Sequence, residues 1–222
     1  MYNFLENIQL ADDSEIDALE EKQRKIIEDS KKASIETNFQ NYAGIPERFK
    51  KASLDSFRVN ENESNRRVYE WLRGFVGAVR GKSNSKSLIY LNGTYGTGKT
   101  FLGCALIREL GGKIISSLEL CITYESCRDF NAEMTRIQFL KELCSKEVLV
   151  IDEVGKGIER IEKEILPYII NEFYGSGKIL LFLGNLQNRD FNALVGEASA
   201  DRFAECGVYL SLTGDSERRK KS

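Results

Sequence analysis

Short apolar runs alternate with amphipathic stretches along most of the chain, and this alternation predicts the fold. Five runs indicate buried strands, because their apolar residues are nearly consecutive and each run spans only four or five residues. The predicted strands are Ser87–Leu91, Lys113–Ser116, Val148–Ile151, Ile179–Leu183 and Val208–Leu212. Apolar strands that alternate with helices indicate an α/β fold, in which helices cover both faces of a five-stranded parallel sheet.

Helical periodicity accounts for much of the sequence between these strands. Helices are predicted at Arg66–Val79, at Thr100–Leu110, through Phe139–Leu143 and around Ile165–Phe173. Gly111 and Gly112 end the second of them. Pro167 is expected near the start of the last helix or at a kink in it, because proline lacks a backbone N–H.

The N-terminal region has a different pattern. Residues 14–40 contain no glycine or proline, and Ser14 with Asp17 resembles a capping box, so Ser14–Gln40 is predicted to form one helix. Its thin apolar seam leaves two interpretations open, a solvated helix folded back on the main domain or a helix that docks on a partner protein. Tyr42–Pro46 breaks the helix, which divides the chain into residues 1–42 and 43–222.

Composition and charge narrow the class of protein. The chain has no histidine, which excludes His-based nucleophile relays and metal sites, and its five cysteines form no C-x-x-C pair. No apolar run approaches the ~20 residues of a membrane span, and the first residues lack the features of a signal peptide. We therefore expect a cytoplasmic protein with free thiols and no membrane contact. A net charge of −2 means that any DNA contact must come from a local patch.

The segment from Gly93 to Thr100, GTYGTGKT, fits the phosphate-binding pattern G-x-x-x-x-G-K-[ST]. A predicted strand ends just before it and a predicted helix begins at its end, as such a loop requires. Lys99 can reach the β- and γ-phosphates of ATP, and the Thr100 hydroxyl can bind Mg²⁺. The predicted nucleotide-binding residues are Gly93, Thr94, Tyr95, Gly96, Thr97, Gly98, Lys99, Thr100 and Phe101.

Two acidic residues follow a predicted strand, at the end of a parallel sheet where ligands bind. Asp152 and Glu153 come directly after Val148–Ile151. Asp152 is expected to hold Mg²⁺ together with Thr100, and Glu153 to act as the general base for an attacking water. The presence of Glu153 favours hydrolysis over transfer to a bound acceptor.

Three further polar residues are candidates for contact with the γ-phosphate. Asn185 follows Ile179–Leu183 at the same edge of the sheet, where its amide could bind that phosphate or orient the water. Arg202 and Arg218 are the cationic candidates, since a positioned arginine can accelerate phosphoryl transfer by ~10³–10⁵. Only a family pattern singles out these two arginines.

That pattern is carried by the ordered motifs GTYGTGKT, VLVIDEVG, FLGN, VGEASADRF and VYLSLTGDSER. They resemble those of the DnaC/DnaI helicase loaders, a branch of the AAA+ ATPases that also includes the IstB transposition helpers. The resemblance implies an AAA+ P-loop fold, in which the strand before Asn185 lies between the strands of the Walker A and Walker B motifs. It implies that Asn185 is sensor 1, that Arg202 acts on the ATP of a neighbouring subunit, and that Arg218 is sensor 2 in its own subunit. Gly184 departs from the pattern, because a threonine usually precedes the sensor-1 asparagine.

The resemblance also implies a function, the loading of a replicative helicase. Residues 1–42 would grip a DnaB-type helicase, and residues 43–222, the AAA+ ATPase domain, would assemble into ATP-dependent oligomers and contact single-stranded DNA. Candidate DNA contacts are Arg128, Arg136 and Lys141. Three alternatives stay open: an IstB-like ATPase that assists a transposase, a small P-loop kinase, and an adaptor that uses ATP only as an assembly switch.

Overall fold

The computed structural model describes residues 21, 25 and 43–214, apart from residues 58, 60, 61, 84, 85, 130 and 131. The predicted helix Ser14–Gln40, apart from Glu21 and Lys25, and Arg218 therefore lie outside the described residues. Two short 3₁₀ helices, Glu47–Phe49 and Leu54–Ser56, come first in the described domain. Within the described residues, no helix is both long enough and apolar enough to span a membrane.

Five strands form one parallel sheet. They are β1 (Leu88–Gly93), β2 (Lys113–Ser116), β3 (Val148–Val154), β4 (Ile179–Gly184) and β5 (Gly207–Leu212). Their order across the sheet is β2-β3-β4-β1-β5. The strand before Asn185 thus lies between the strand before the phosphate-binding loop and the strand that carries Asp152, which confirms the order implied by the resemblance.

Seven α-helices are described around the sheet. They are α1 (Glu63–Arg80), α2 (Lys99–Leu110), α3 (Ser117–Ser126), α4 (Arg136–Cys144), α5 (Glu159–Phe173), α6 (Asn188–Val195) and α7 (Glu197–Cys206). Helix α2 packs on one face of the sheet, and most of the core lies on the opposite face. There, alternate strand residues such as Tyr90, Ile151 and Phe182 pack against the later helices. Both faces are covered, as predicted.

The observed elements extend the predicted ones. Each predicted strand begins within one residue of its observed start, and Val148–Val154 is longer than predicted because it takes in Asp152 and Glu153. Pro167 lies in the interior of α5, so its expected place near the helix start is wrong, while the alternative, a kink at Pro167, stays a prediction. The apolar face of α5 supplies the stabilisation there, because Ile165, Leu166 and Ile169 are fully buried.

Strand register places the candidate residues at one edge of the sheet. Asn92 of β1 is level with Gly184 of β4, so the loop after β1 and the turn after β4 leave the sheet side by side. Asp152 is level with Ser116, the last residue of β2. The carboxyl edge of the central strands is therefore where the site is assembled.

Candidate nucleotide-binding site

The loop between β1 and α2 has the conformation of a phosphate-binding loop. Gly98 is the N-cap of α2 at φ 98°, a left-handed conformation that glycine adopts without strain. A β-carbon there would also lie 2.8 Å from the Phe57 ring. The loop therefore delivers the chain into the N-terminus of a helix, where backbone N–H groups and the helix dipole favour an anion.

Lys99 is held inside this loop. Its ammonium group donates hydrogen bonds to the carbonyl oxygens of Gly93 at 2.8 Å and Thr94 at 2.7 Å, and the residue is 9% exposed. The Thr97 hydroxyl donates to the Thr94 carbonyl at 2.9 Å, which closes the loop further. The cation therefore already lies among the backbone groups that would surround a bound phosphate.

Thr100 and Asp152 meet across the site. The Thr100 hydroxyl donates to Asp152 Oδ2 at 2.8 Å, and the Glu153 N–H donates to Asp152 Oδ1 at 2.8 Å. Burial raises the pKa of Asp152, while these two hydrogen bonds act in the opposite direction. A half-buried carboxylate beside a hydroxyl is a pair of oxygen donors that suits Mg²⁺, so these residues fit the predicted metal site.

Glu153 has an unusual backbone and an exposed side chain. Its φ is 58°, in the left-handed region that non-glycine residues rarely adopt, and the pairing of β3 with β4 is irregular at this point. Its carboxylate is ion-paired with Lys156 at 2.9 Å, and the Lys156 Nζ atom lies 4.6 Å from the centre of the Tyr95 ring. The predicted general base is thus connected to the phosphate-binding loop through Lys156.

A buried glutamate that is not among the predicted site residues supports the loop that follows Glu153. Glu162 is 1% exposed, and its Oε1 atom accepts hydrogen bonds from the Ser117 hydroxyl, from Gly155 N–H at 2.9 Å and from Gly157 N–H at 3.3 Å. These contacts tie the loop after β3 to the start of α3. The sequence does carry one signal for this role, because Glu162 is a charged residue on the helix face that also carries the buried residues Ile165 and Ile169.

Asn185 presents an unpartnered amide at the same edge. Among the buried side-chain nitrogen and oxygen atoms of the described residues, only Asn185 Nδ2 lacks a hydrogen-bond partner. A buried donor without an acceptor is costly, by about 1–3 kcal/mol. An oxygen of a bound nucleotide or an attacking water would supply the missing acceptor, so this observation fits a ligand at the site.

Phe101 belongs to an aromatic cluster behind the loop. Its ring lies 6.2 Å from Phe49 and 6.0 Å from Phe57, between ring centres. Phe57 also stacks on Tyr69 of α1 at 6.1 Å. These contacts attach the segment before α1 to the start of α2, so the cluster sets the position of the loop relative to the N-terminal part of the domain.

Arg202 lies away from these residues. Its guanidinium carbon is 5.5 Å from the ring centre of Tyr174, which precedes β4 and therefore lies at the amino edge of the sheet. A six-residue strand such as β5 separates the two edges by about 20 Å. The fold thus does not bring Arg202 to the phosphate-binding loop of its own chain.

The three candidate DNA contacts differ in their surroundings. Arg136 donates from Nε to the Tyr124 carbonyl at 3.2 Å, pairs with Glu125, and places its guanidinium carbon 4.5 Å from the Tyr124 ring centre. It is therefore engaged in joining α3 to α4. Arg128 and Lys141 are exposed.

The sheet order and the loop geometry define the class of protein, which is an AAA+ P-loop fold. Among solved structures, the DnaC helicase loader has a TM-score of 0.62 at 24% identity and covers 75% of this chain and 99% of that chain. DnaI has a TM-score of 0.59 at 18% identity, over 78% of this chain and 94% of that chain. AMPPCP-bound DnaA from Aquifex aeolicus has a TM-score of 0.56 at 24% identity, over 76% of this chain and 52% of that chain.

Sequence comparison gives the family. The replicative helicase loader DnaC of Buchnera aphidicola subsp. Baizongia pistaciae (strain Bp) is 30% identical over 189 residues, which cover 80% of this chain and 74% of that protein. A comparison with protein-family models gives no match. The chain belongs to the DnaC family of replicative helicase loaders.

Proposed function

We propose that the protein loads a DnaB-type replicative helicase onto single-stranded DNA during replication initiation, and that Mg²⁺-dependent ATP hydrolysis drives the cycle. Membership of the DnaC family supports a replicative helicase as the partner. The observation that carries the catalytic part is the contact between Thr100 and Asp152 at the end of a loop that already encloses Lys99. These three residues are what a P-loop ATPase requires in one place.

Each residue of the site has a distinct role in this proposal. Lys99 leaves its two loop carbonyls to contact the β- and γ-phosphates, and the N–H groups of residues 93–100 bind the remaining phosphate oxygens. Thr100 and Asp152 hold Mg²⁺, which when bound neutralises charge on the transferred phosphoryl group. Glu153 accepts the proton of the attacking water, and Asn185 Nδ2 donates to the γ-phosphate or to that water.

Two arginines complete the site in the assembled protein. Arg202, at the opposite edge of the sheet from its own loop, acts on the ATP of a neighbouring subunit, so subunits assemble side by side. Arg218 acts as sensor 2 within its own subunit. Both roles rest on the resemblance to DnaC/DnaI loaders, and the position of Arg202 beside Tyr174 supports the first.

Two parts of the chain provide the partner contacts in this proposal. Residues 1–42 dock on the helicase, and residues 43–222 bind single-stranded DNA in the cytoplasm.

A helicase-loading assay tests the proposal. The protein, ATP and the DnaB-type helicase of its own source are mixed with circular single-stranded DNA, and DNA-bound helicase is separated by gel filtration. We expect several times more bound helicase than without the loader, and no increase with Lys99→Ala. No gain with the wild-type protein would contradict the loader function.

An ATP-switched adaptor is the second candidate, because the Glu153 carboxylate is engaged by Lys156. The two functions differ in whether the chemical step is needed. If AMPPCP supports both loading and loader release as well as ATP does, the adaptor is correct. If AMPPCP supports helicase binding but leaves the loader attached, hydrolysis is part of the cycle.

A further inference from the structure

The Tyr90 side chain fills the space that a side chain at residue 184 would need. A β-carbon on Gly184 would lie 2.9 Å from the Tyr90 hydroxyl oxygen, 3.3 Å from Tyr90 Cε2 and 3.1 Å from the Val154 carbonyl oxygen. The threonine that usually precedes the sensor-1 asparagine therefore does not fit here. Because Gly184 has no side chain, the Tyr90 ring can lie against it and its hydroxyl can reach the turn after β4.

The Tyr90 hydroxyl holds that turn directly. It donates to the carbonyl oxygen of Leu186, the residue after Asn185, at 2.8 Å. The ring is fully buried and stacks on Phe191 with 4.0 Å between ring centres and 9° between planes. Burial raises the pKa of the Tyr90 phenol, so the group stays protonated and remains a donor.

Asn92 makes a second contact from the same face of β1. Its side chain is 8% exposed, and its Nδ2 atom donates to Asn188 Oδ1 at 2.8 Å, at the first residue of α6. Because residues two apart on a strand share a face, Tyr90 and Asn92 reach the turn together. Their two hydrogen bonds lie just after Asn185, whose own amide nitrogen has no partner among the described residues.

We propose that Tyr90 and Asn92 are positioning residues, which fix the turn from Asn185 to Asn188 and so aim the Asn185 amide at the nucleotide. This inference rests on the proposed ATPase function. Because no described residue accepts a hydrogen bond from Asn185 Nδ2, the direction of that group depends on the backbone of the turn. A misplacement of about 1 Å in such a group can cost about 10²-fold in rate.

A matched pair of tyrosines tests this inference. Tyr90→Phe removes the hydroxyl that holds the Asn185 turn, and Tyr209→Phe removes a hydroxyl in the same aromatic cluster that donates to Asn192 Oδ1 at 2.7 Å, within α6. The variants are compared in ATP turnover, in the ratio of Kd values for ATP and ADP by competition with a fluorescent nucleotide, and in thermal unfolding. Asn185→Ala serves as the reference for a lost amide.

We expect Tyr90→Phe to lower turnover by about 10- to 100-fold and to shift the ATP-to-ADP ratio towards that of Asn185→Ala. ADP affinity and Tm should be close to those of Tyr209→Phe, because each variant loses one tyrosine hydroxyl and its single hydrogen bond. Equal turnover and equal ratios in the two variants would overturn the inference while leaving the ATPase function intact. A wild-type protein that binds no ATP would overturn both the inference and the ATPase function. If the wild type binds ATP without turnover, the ratio of Kd values for ATP and ADP decides the inference.

A second set of variants tests whether a side chain at residue 184 would displace Tyr90. Gly184→Ala alone should lower turnover, because its β-carbon displaces the Tyr90 hydroxyl. Combining it with Tyr90→Phe removes the closest contact, so the double variant should lose less activity than the product of the two single losses. Strictly multiplicative losses would contradict the coupling between these two residues.

Discussion

The Thr100 hydroxyl donates a 2.8 Å hydrogen bond to Asp152 and so joins the start of α2 to the end of β3. The two residues are far apart in the sequence, and β4 lies between the strands that lead to them. Their contact means that the fold itself brings together the two oxygen atoms that we propose as ligands of Mg²⁺.

Thr100→Ala should raise the Mg²⁺ concentration needed for half-maximal ATP turnover and lower maximal turnover by roughly 10²-fold, a typical loss for one positioned interaction. Thr100→Ser keeps the hydroxyl and should stay within a few-fold of the wild type. The measurement is turnover against Mg²⁺ concentration. Equal Mg²⁺ dependence in Thr100→Ala and Thr100→Ser would exclude the hydroxyl as a metal ligand.

Asp152→Asn should abolish turnover yet stabilise the metal-free protein at neutral pH. Burial raises the pKa of Asp152, so between the unfolded and folded pKa values the folded state binds more protons. The free energy of unfolding of the wild type therefore falls as pH rises through that window, and the uncharged asparagine removes this fall. Each kcal/mol regained raises Tm by about 2–4 °C in a domain of this size.

The check is a pair of denaturation series, in EDTA, from acidic to neutral pH. The stability difference between Asp152→Asn and the wild type should grow as pH rises and then level off. A variant that is less stable than the wild type at neutral pH would show that burial does not penalise the charged carboxylate.

Glu162→Ala should destabilise the domain by roughly 2–4 kcal/mol, because it leaves the Ser117 hydroxyl and two backbone N–H groups without their acceptor. Glu162→Gln retains an acceptor oxygen and should lose less than half as much. Urea denaturation of both variants measures this. Equal losses would mean that the negative charge, and not the hydrogen bonds, holds the loop after β3.

Arg202→Ala should lower assembly-dependent turnover by about 10³-fold or more while nucleotide affinity stays unchanged. A mixture of Arg202→Ala with Lys99→Ala should regain turnover that neither variant has alone, since a Lys99→Ala subunit can supply Arg202 to its neighbour. Arg67→Ala, which removes an exposed arginine paired with Glu63 of α1, is the control. Loss of nucleotide binding in Arg202→Ala, or no recovery in the mixture, would contradict a role between subunits.

Local signals in the sequence predicted the strands and the residues that follow them. The apolar run Ile179–Leu183 forms β4, whose last residue is Gly184, so Asn185 lies at the carboxyl edge of the sheet as expected. The phosphate-binding loop was predictable because its residues are contiguous. The meeting of Thr100 with Asp152 followed from the parallel sheet, since such edges collect the loops after each strand.

Contacts between distant residues could not be read from local patterns. Glu162 lies at a buried helical position, and only the structure shows its three donors, one at the start of α3 and two in the loop after β3. The left-handed backbone of Glu153 likewise depends on the irregular pairing of β3 with β4. Gly184 was recognisable as a departure from the family pattern, but its reason, the Tyr90 ring on the neighbouring strand, required the sheet order.

The residues around Lys99, Asp152 and Glu153 hydrolyse ATP in the function that we propose. The most direct test is ATP turnover of the purified protein, with and without single-stranded DNA, beside Lys99→Ala. We predict turnover that single-stranded DNA increases and that Lys99→Ala abolishes. ATP binding without turnover under either condition, or equal turnover in the Lys99→Ala variant, would contradict the claim.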